Sequence, residues 1–257
     1  MDLGIKDRVA IVTGGSRGLG RFSALALARE GVRVAICGRT KETLDKTTEE
    51  LRAVGVSAIG VVADVGEPEA AQLVYDRAVS ELGPVDILVN NVGSRRGSTV
   101  MDTSEEKFRE AFELNLFAGL RLMRIAIPGM KARRWGRIVN IASVWGREYG
   151  GSADYMSAKA SLIALTKYAA VELVKDNVLV NSVAPGSIVH PGGSWDRFST
   201  EQPPEVVQEF IDRNLPAGKF GWPEPVADVV TFLASERASL IAGACINVDG
   251  GQGRSLI

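Results

Sequence analysis

Tyr155 and Lys159 stand four residues apart in "YMSAK". On a helix that spacing places both side chains on one face, a turn apart. A phenol with a pKa of about 10 is a poor acid–base catalyst at neutrality. A neighbouring ammonium stabilises the phenolate and lowers that value. The pair is therefore expected to exchange a proton with a substrate oxygen. Such pairs also occur on helices that do no chemistry, so context has to decide. Ser143 supplies some: it ends "GRIVNIAS", which reads as a strand. At the carboxyl edge of a sheet, where α/β folds bind ligands, its hydroxyl can hold a carbonyl oxygen.

A second candidate is "TGGSRGLG", Thr13 to Gly20. Two readings share these letters. Gly14-Gly15-Ser16-Arg17-Gly18 spells the G-x-S-x-G elbow of serine hydrolases, with Ser16 as nucleophile. Gly14, Gly18 and Gly20 form a glycine-rich turn that could cradle a dinucleotide phosphate. The elbow needs an oxyanion loop earlier in the chain, and almost no chain precedes Ser16. It also needs a histidine, and the only one is His190. The cradle fits better, because the turn ends a strand and opens a helix. There backbone N–H groups and the helix dipole attract phosphate, and a Cβ would keep it away. The second strand ends in Gly38-Arg39. An enzyme preferring NAD usually carries an acid there, whereas arginine suits a 2′-phosphate. Arg39, with Arg17 in the loop, therefore points to NADP(H) over NAD(H).

These groups need a scaffold, and the pattern of the chain supplies one. Short apolar runs recur at Arg8–Gly14, Val32–Gly38, Ser57–Val65, Val85–Asn91, Gly136–Ser143, Asn177–Gly186 and Gly243–Gly251. Helical stretches separate them at Gly18–Glu30, Lys41–Ala53, Pro68–Leu82, Ser104–Lys131 and Ala153–Val174. Near-continuous apolar strands alternating with helices imply a parallel sheet covered on both sides. The expected fold is α/β: a single-domain, Rossmann-like, doubly wound parallel sheet of about seven strands with helices on both faces. One domain over residues 1–257 fits the length. Pro185 to Pro225 is irregular and rich in Pro and Gly, with helical content expected only near Pro204–Arg213. Residues from about 187 to 222 are expected to form a lid over the substrate.

Composition narrows the partners. With 30 basic and 31 acidic residues the formal charge is −1, which gives no electrostatic reason to expect nucleic acid or an anionic membrane. Only Cys37 and Cys245 are present and no cluster has metal spacing, so neither a disulfide framework nor a metal is expected. The charged N-terminus does not read as a signal peptide, and no apolar run is long enough to span a bilayer. A cytoplasmic location is the expectation.

Together these stretches resemble the short-chain dehydrogenase/reductase family, and the match covers nearly the whole chain. "TGGSRGLG" resembles its cofactor loop, and "NNVG" (Asn90 to Gly93) its N-N-A-G, with Val92 in place of alanine. Asp64-Val65 match the pair near the adenine, Asn115 in "LNLFAG" the catalytic asparagine, and Ser143, Tyr155 and Lys159 the Ser and Y-x-x-x-K. "VAPGSI" matches the segment beside the nicotinamide, and His190 stands where many members have threonine. The body is most similar to the 3-oxoacyl-carrier-protein reductase type. The resemblance implies Asn115, Ser143, Tyr155 and Lys159 as catalytic residues. It implies cofactor contacts from Gly14, Ser16, Arg17, Gly18, Leu19, Gly20, Arg39, Asp64, Val65, Asn91, Val92, Gly93, Tyr155, Lys159, Pro185, Gly186 and Ile188. Hydride would pass between NADP(H) and a ketone or secondary alcohol. Tyr155 would carry the proton, Lys159 would lower its pKa and hold the ribose, and Asn115 would support a water relay.

Substrate contacts are expected from Ser143, Trp145, Tyr149 and Trp195, with Phe198 nearby, a lining that suits an apolar ketone or a 3-oxoacyl thioester. Arg95, Arg96, Arg133 and Arg134 could attract an acidic carrier, or be plain surface charge. Members of the family are commonly homotetramers built on the two long helices and the last strand. The competing readings are a non-catalytic NADP-binding scaffold and the Ser16 hydrolase.

Overall fold

A computed structural model of the chain describes residues 2–256. Seven strands form one sheet: β1 (Val9–Thr13), β2 (Arg33–Gly38), β3 (Ala58–Val62), β4 (Ile87–Asn90), β5 (Gly136–Ile141), β6 (Val178–Pro185) and β7 (Cys245–Val248). Every neighbouring pair is parallel, in the order β3-β2-β1-β4-β5-β6-β7. The order reverses between β1 and β4, so their carboxyl ends frame a crevice where α/β sheets take ligands.

The strands are apolar throughout because both faces are covered. On β1, Ala10 and Val12 face one core and Val9 and Ile11 the other. The first core is closed by α1 (Gly18–Arg29), α2 (Lys41–Ala53) and α9 (Pro223–Leu233), through Leu27, Leu44, Leu51, Val226, Val230 and Leu233. The second is closed by α3 (Ala70–Leu82), α5 (Ala118–Arg133) and α6 (Ala153–Leu173), through Val74, Leu122, Met123 and Leu173. Each fully buried side chain of this size contributes about 1.5–3 kcal/mol.

The helices depart from expectation in three places. The stretch expected as one helix from Ser104 to Lys131 is broken. It runs as α4 (Glu105–Phe112), a π-helical turn (Glu113–Phe117) and α5. Helix α9 was not among the expected elements, although Val226, Val230 and Leu233 mark a buried stripe at helical spacing. The irregular region holds two helices, not one: α7 (Ser194–Glu201) and α8 (Pro204–Asn214). Its ends are stapled side by side, since Val189 N donates to Gly221 O at 2.9 Å and Gly221 N to Ser187 O at 3.0 Å.

Candidate active site

The site is assembled at the carboxyl edge of β1, β4, β5 and β6. Strand β1 ends in Thr13, whose hydroxyl accepts from the amides of Asn91 (2.9 Å) and Val92 (3.2 Å). Asn91 Nδ2 donates back to Thr13 O at 2.9 Å. These bonds lock the glycine loop to the end of β4. Gly14 and Gly18 sit at φ +62° and +54°, where a side chain is strained. A Cβ on Gly20 would stand 2.6 Å from Asn91 Nδ2, and one on Gly15 would stand 2.5 Å from Ile36 Cγ2. The loop is thus a shallow cradle at the first turn of α1, with backbone N–H groups free of side-chain bulk.

The other cofactor candidates line the rim of this cradle. Ser16 faces Gly38, where a Cβ would meet its Oγ at 2.8 Å. Arg17 is exposed at the N-cap of α1, and Leu19 is half-buried two residues on. Arg39 is exposed and lies 3.6 Å from the Asp64 carboxylate, which also accepts from Gly66 N. Val65 is buried behind it, and Val92 is half-buried at the end of β4. Gly186 N donates to Val248 O at 3.2 Å, holding Pro185-Gly186 against β7. Ile188 is buried and bridges to Gly221. His190 comes back onto the cradle: a Cβ on Gly18 would stand 2.8 Å from its Cε1, and Nδ1 lies 3.3 Å from Pro191 O. No side-chain hydrogen bond joins Ser16 to His190 among the described residues, so the hydrolase elbow is not built.

Across the crevice, Ser143, Tyr155, Lys159 and Asn115 converge. Ser143 ends the chain's fifth strand run and accepts from Trp145 N at 3.2 Å, which opens a short 3₁₀ turn. It also hydrogen-bonds the Tyr155 side chain. One turn along α6, Lys159 is buried; its Nζ lies 5.6 Å from the Tyr155 ring centre and donates to Ile141 O at 2.7 Å. The π-helical turn presents Asn115 to the same place. Its Nδ2 donates to Ser94 O and Ala111 O, both at 2.8 Å, while its buried Oδ1 has no hydrogen-bond partner among the described residues. Gly93 separates these groups, and a Cβ there would stand 2.8 Å from Lys159 Nζ. An inserted turn of π-helix is a common device for aiming a functional residue.

The electrostatics differ from expectation. Burial pushes the Tyr155 phenol above its ordinary value, and the Ser143 hydrogen bond offsets only part of that rise. Burial also takes Lys159 down to about 7. Both groups share a dry niche, so desolvation outweighs their mutual attraction and the phenol is not lowered. Asp154 was overlooked in the sequence. It is buried, and its Oδ2 accepts from the amides of Arg96 (2.6 Å) and Gly97 (3.0 Å), pinning that loop beside Tyr155. Burial alone would raise this carboxyl; the Ser152 hydroxyl and those amides win and hold it below the ordinary range.

The aromatic residues divide. Trp195 lies 6.2 Å from Trp145 and packs with Phe198, Phe210 and Phe220. Tyr149 is 95 % exposed, at a groove mouth and outside any enclosed pocket. Arg133 and Arg134 lie at the opposite edge of the sheet, donating to Val85 O and Lys175 O. They cannot guide a carrier to this site from there. Arg96 pairs with Glu110 at 3.5 Å.

The chain resembles known proteins along nearly its whole length. Residues 8–201 match the family model described as short chain dehydrogenase. The chain is 37% identical over 244 residues to the 3-oxoacyl-(acyl-carrier-protein) reductase FabG of Staphylococcus aureus, covering 94% of this chain and 96% of that one. It is 36% identical over 251 residues to BbsD of Thauera aromatica, a subunit of a hydroxy(phenyl)methylsuccinyl-CoA dehydrogenase, covering 97% and 98%. Among solved structures, L-sorbose reductase of Gluconobacter frateurii, complexed with NADPH and L-sorbose, superposes with a TM-score of 0.90 at 34% identity over 100% of both chains. A glycine cradle at the sheet's switch point, a serine, a tyrosine and a lysine on its far wall, and full-length likeness to these enzymes lead to one assignment. The chain belongs to the short-chain dehydrogenase family, oxidoreductases that interconvert CH–OH and C=O.

Proposed function

We propose that this protein reduces ketones with NADPH and oxidises the matching secondary alcohols with NADP. The observation that carries the reading is that Lys159 and Asn115 meet at Gly93 while Tyr155 lies beside both Lys159 and Ser143. The cradle has features that suit a diphosphate: glycines at positive φ and a helix start. Gly14, Ser16, Arg17, Gly18, Leu19 and Gly20 would hold the diphosphate, with His190 beside them. Arg39 would meet a 2′-phosphate, Asp64 and Val65 would flank the adenine, and Asn91 to Gly93, Pro185, Gly186 and Ile188 would flank the nicotinamide. When bound, the reduced nicotinamide would supply the hydride.

The chain supplies the rest. Ser143 Oγ donates to the substrate carbonyl oxygen and fixes its orientation. Tyr155 gives the phenolic proton to that oxygen as it gains charge. Lys159 would hold the ribose side of the cofactor and replenish the proton, with Asn115 Oδ1 holding the water that relays it to Lys159. The segment from about 187 to 222 acts as a lid, hinged at the Ser187–Gly221 staple and stiffened by its aromatic cluster. An apolar ketone or a 3-oxoacyl thioester fits beside Trp145 and Trp195, and the likeness to FabG supports the thioester. The enzyme works in the cytoplasm as a homotetramer.

The test is oxidation of NADPH, followed by absorbance, with a panel of ketones, repeated with NADH. Tyr155→Phe should lower kcat at least about 100-fold, within the range of lost general-acid catalysis, while NADPH still binds. Undiminished turnover by Tyr155→Phe overturns the assigned role.

A further inference from the structure

An open groove of about 530 Å³ lies outside the groups assigned to chemistry. Trp145 and Tyr149 supply apolar wall; Arg213 and Arg254 supply charge. Two bonds tie it to the reaction centre. Trp145 N donates to Ser143 Oγ. Gln252 Oε1, on the groove's other side, accepts from Ser187 N at 2.7 Å, next to Pro185-Gly186. The groove therefore leads outward from the carbonyl site, between the lid and the tail that follows β7.

The charge in the groove is unbalanced. Glu148 is its one acid, and its Oε2 is already engaged by the amides of Arg254 (2.6 Å) and Ser255 (2.8 Å). Neither the Arg213 nor the Arg254 guanidinium forms an ion pair or side-chain hydrogen bond among the described residues. Arg213 sits in the last turn of α8, where a cation complements the helix dipole. That accounts for one arginine and not for the second, which arrives from a different part of the chain. Guanidinium groups are built for planar, bidentate recognition of carboxylate and phosphate.

We infer that Arg213 and Arg254 form an anion subsite, so the preferred substrate is a ketone whose far end carries a carboxylate or a phosphate. This rests on the carbonyl reductase reading above. An apolar or aromatic body would cross Trp145 and Tyr149 while the anion docks between the two arginines. Because Arg213 belongs to the lid and Arg254 to the body, the anion would also draw the two together.

Two matched substrate pairs separate the possible sources of the anion. Benzoylpropionate and its methyl ester differ only in a carboxylate. Acetoacetyl-4′-phosphopantetheine and acetoacetyl-pantetheine differ only in a phosphate. The anionic member of at least one pair should show kcat/KM about tenfold above its neutral partner, the worth of one charge-assisted hydrogen bond. In Arg213→Gln and Arg254→Gln that ratio should fall toward one, and lysine at either position should restore part of it. The advantage should also shrink with added salt. Equal use of both members of both pairs, or a ratio untouched by the two variants, overturns the subsite. Binding of the acid and the ester, read by quenching of tryptophan fluorescence, asks the same question without turnover. If no ketone is reduced yet the acid binds tighter and loses that preference in the variants, the reductase reading fails and the subsite stands. If neither binds preferentially, the subsite fails.

Discussion

At Tyr155 two influences oppose each other: burial favours the neutral phenol, and the Ser143 hydroxyl favours its anion. Burial prevails, so the phenol keeps its proton to higher pH than a free tyrosine. A protonated phenol serves reduction, and a phenolate serves oxidation. The direction of each pH profile follows. Reduction should fall as pH rises through about 7, where Lys159 loses the proton it passes on, while oxidation should climb roughly tenfold per unit toward pH 10. Initial rates in both directions check this, and an oxidation rate that levels off near pH 7 would contradict it. Lys159, with its pKa taken down to about 7, loses its charge as pH rises through that value, which removes its help to the phenolate early in this range. Arg39 offers a second residue-scale prediction. It is exposed at the end of β2, close to the acid of Asp64. In Arg39→Asp the 2′-phosphate would meet two carboxylates, so NADP use should fall about tenfold or more relative to NAD. Paired kcat/KM values with the two cofactors measure it, and an unchanged preference removes Arg39 from that role.

Between residue and fold stand the elements that aim the side chains. Asn115 does not project from a regular helix; it sits in the π-helical turn from Glu113 to Phe117. Such a turn amounts to one extra residue in an α-helix. Deleting Leu116 should let α4 and α5 fuse into one regular helix and swing Asn115 away from Gly93. Activity should drop at least about 100-fold, as when a positioned relay is lost, with little change in helix content by circular dichroism. A deletion variant with full activity would show that the turn plays no part. This element also shows where sequence reading stops. Tyr155, Lys159 and Ser143 could be placed because one helical turn and one strand end fix them locally. The parallel sheet followed from apolar runs with no alternation. The π turn is invisible in a pattern of apolar spacing, because one extra residue only shifts the phase. Desolvation of Lys159 depends on β5 and Gly93 packing around it, which spacing on α6 cannot reveal. The first helix of the lid, α7, was hidden by the Pro and Gly around it, although Trp195 and Phe198 pack against each other on it.

At the scale of the whole molecule, the outer face of α6 carries an exposed apolar stripe. Ala164, Tyr168 and Val171 follow one another at helical spacing on that side, and Tyr168 and Val171 are 74 % and 72 % exposed. Phe117, 42 % exposed where the π turn meets α5, lies on the same side of the sheet. Leaving such a stripe in water gains little, whereas close packing against a second copy would bury it. No helix among the described residues is long and apolar enough to cross a membrane. The tetramer expected from family resemblance would use the stripe. Light scattering after size exclusion should then give about four times the 27.4 kDa of one chain. Tyr168→Glu with Val171→Glu would place two charges in the contact, and the particle should fall to a smaller size. Because α6 also carries Tyr155 and Lys159, the smaller form should lose activity and thermal stability together. A wild-type particle of one chain's mass, fully active, would leave the stripe as plain exposed surface and end the argument for assembly through α6.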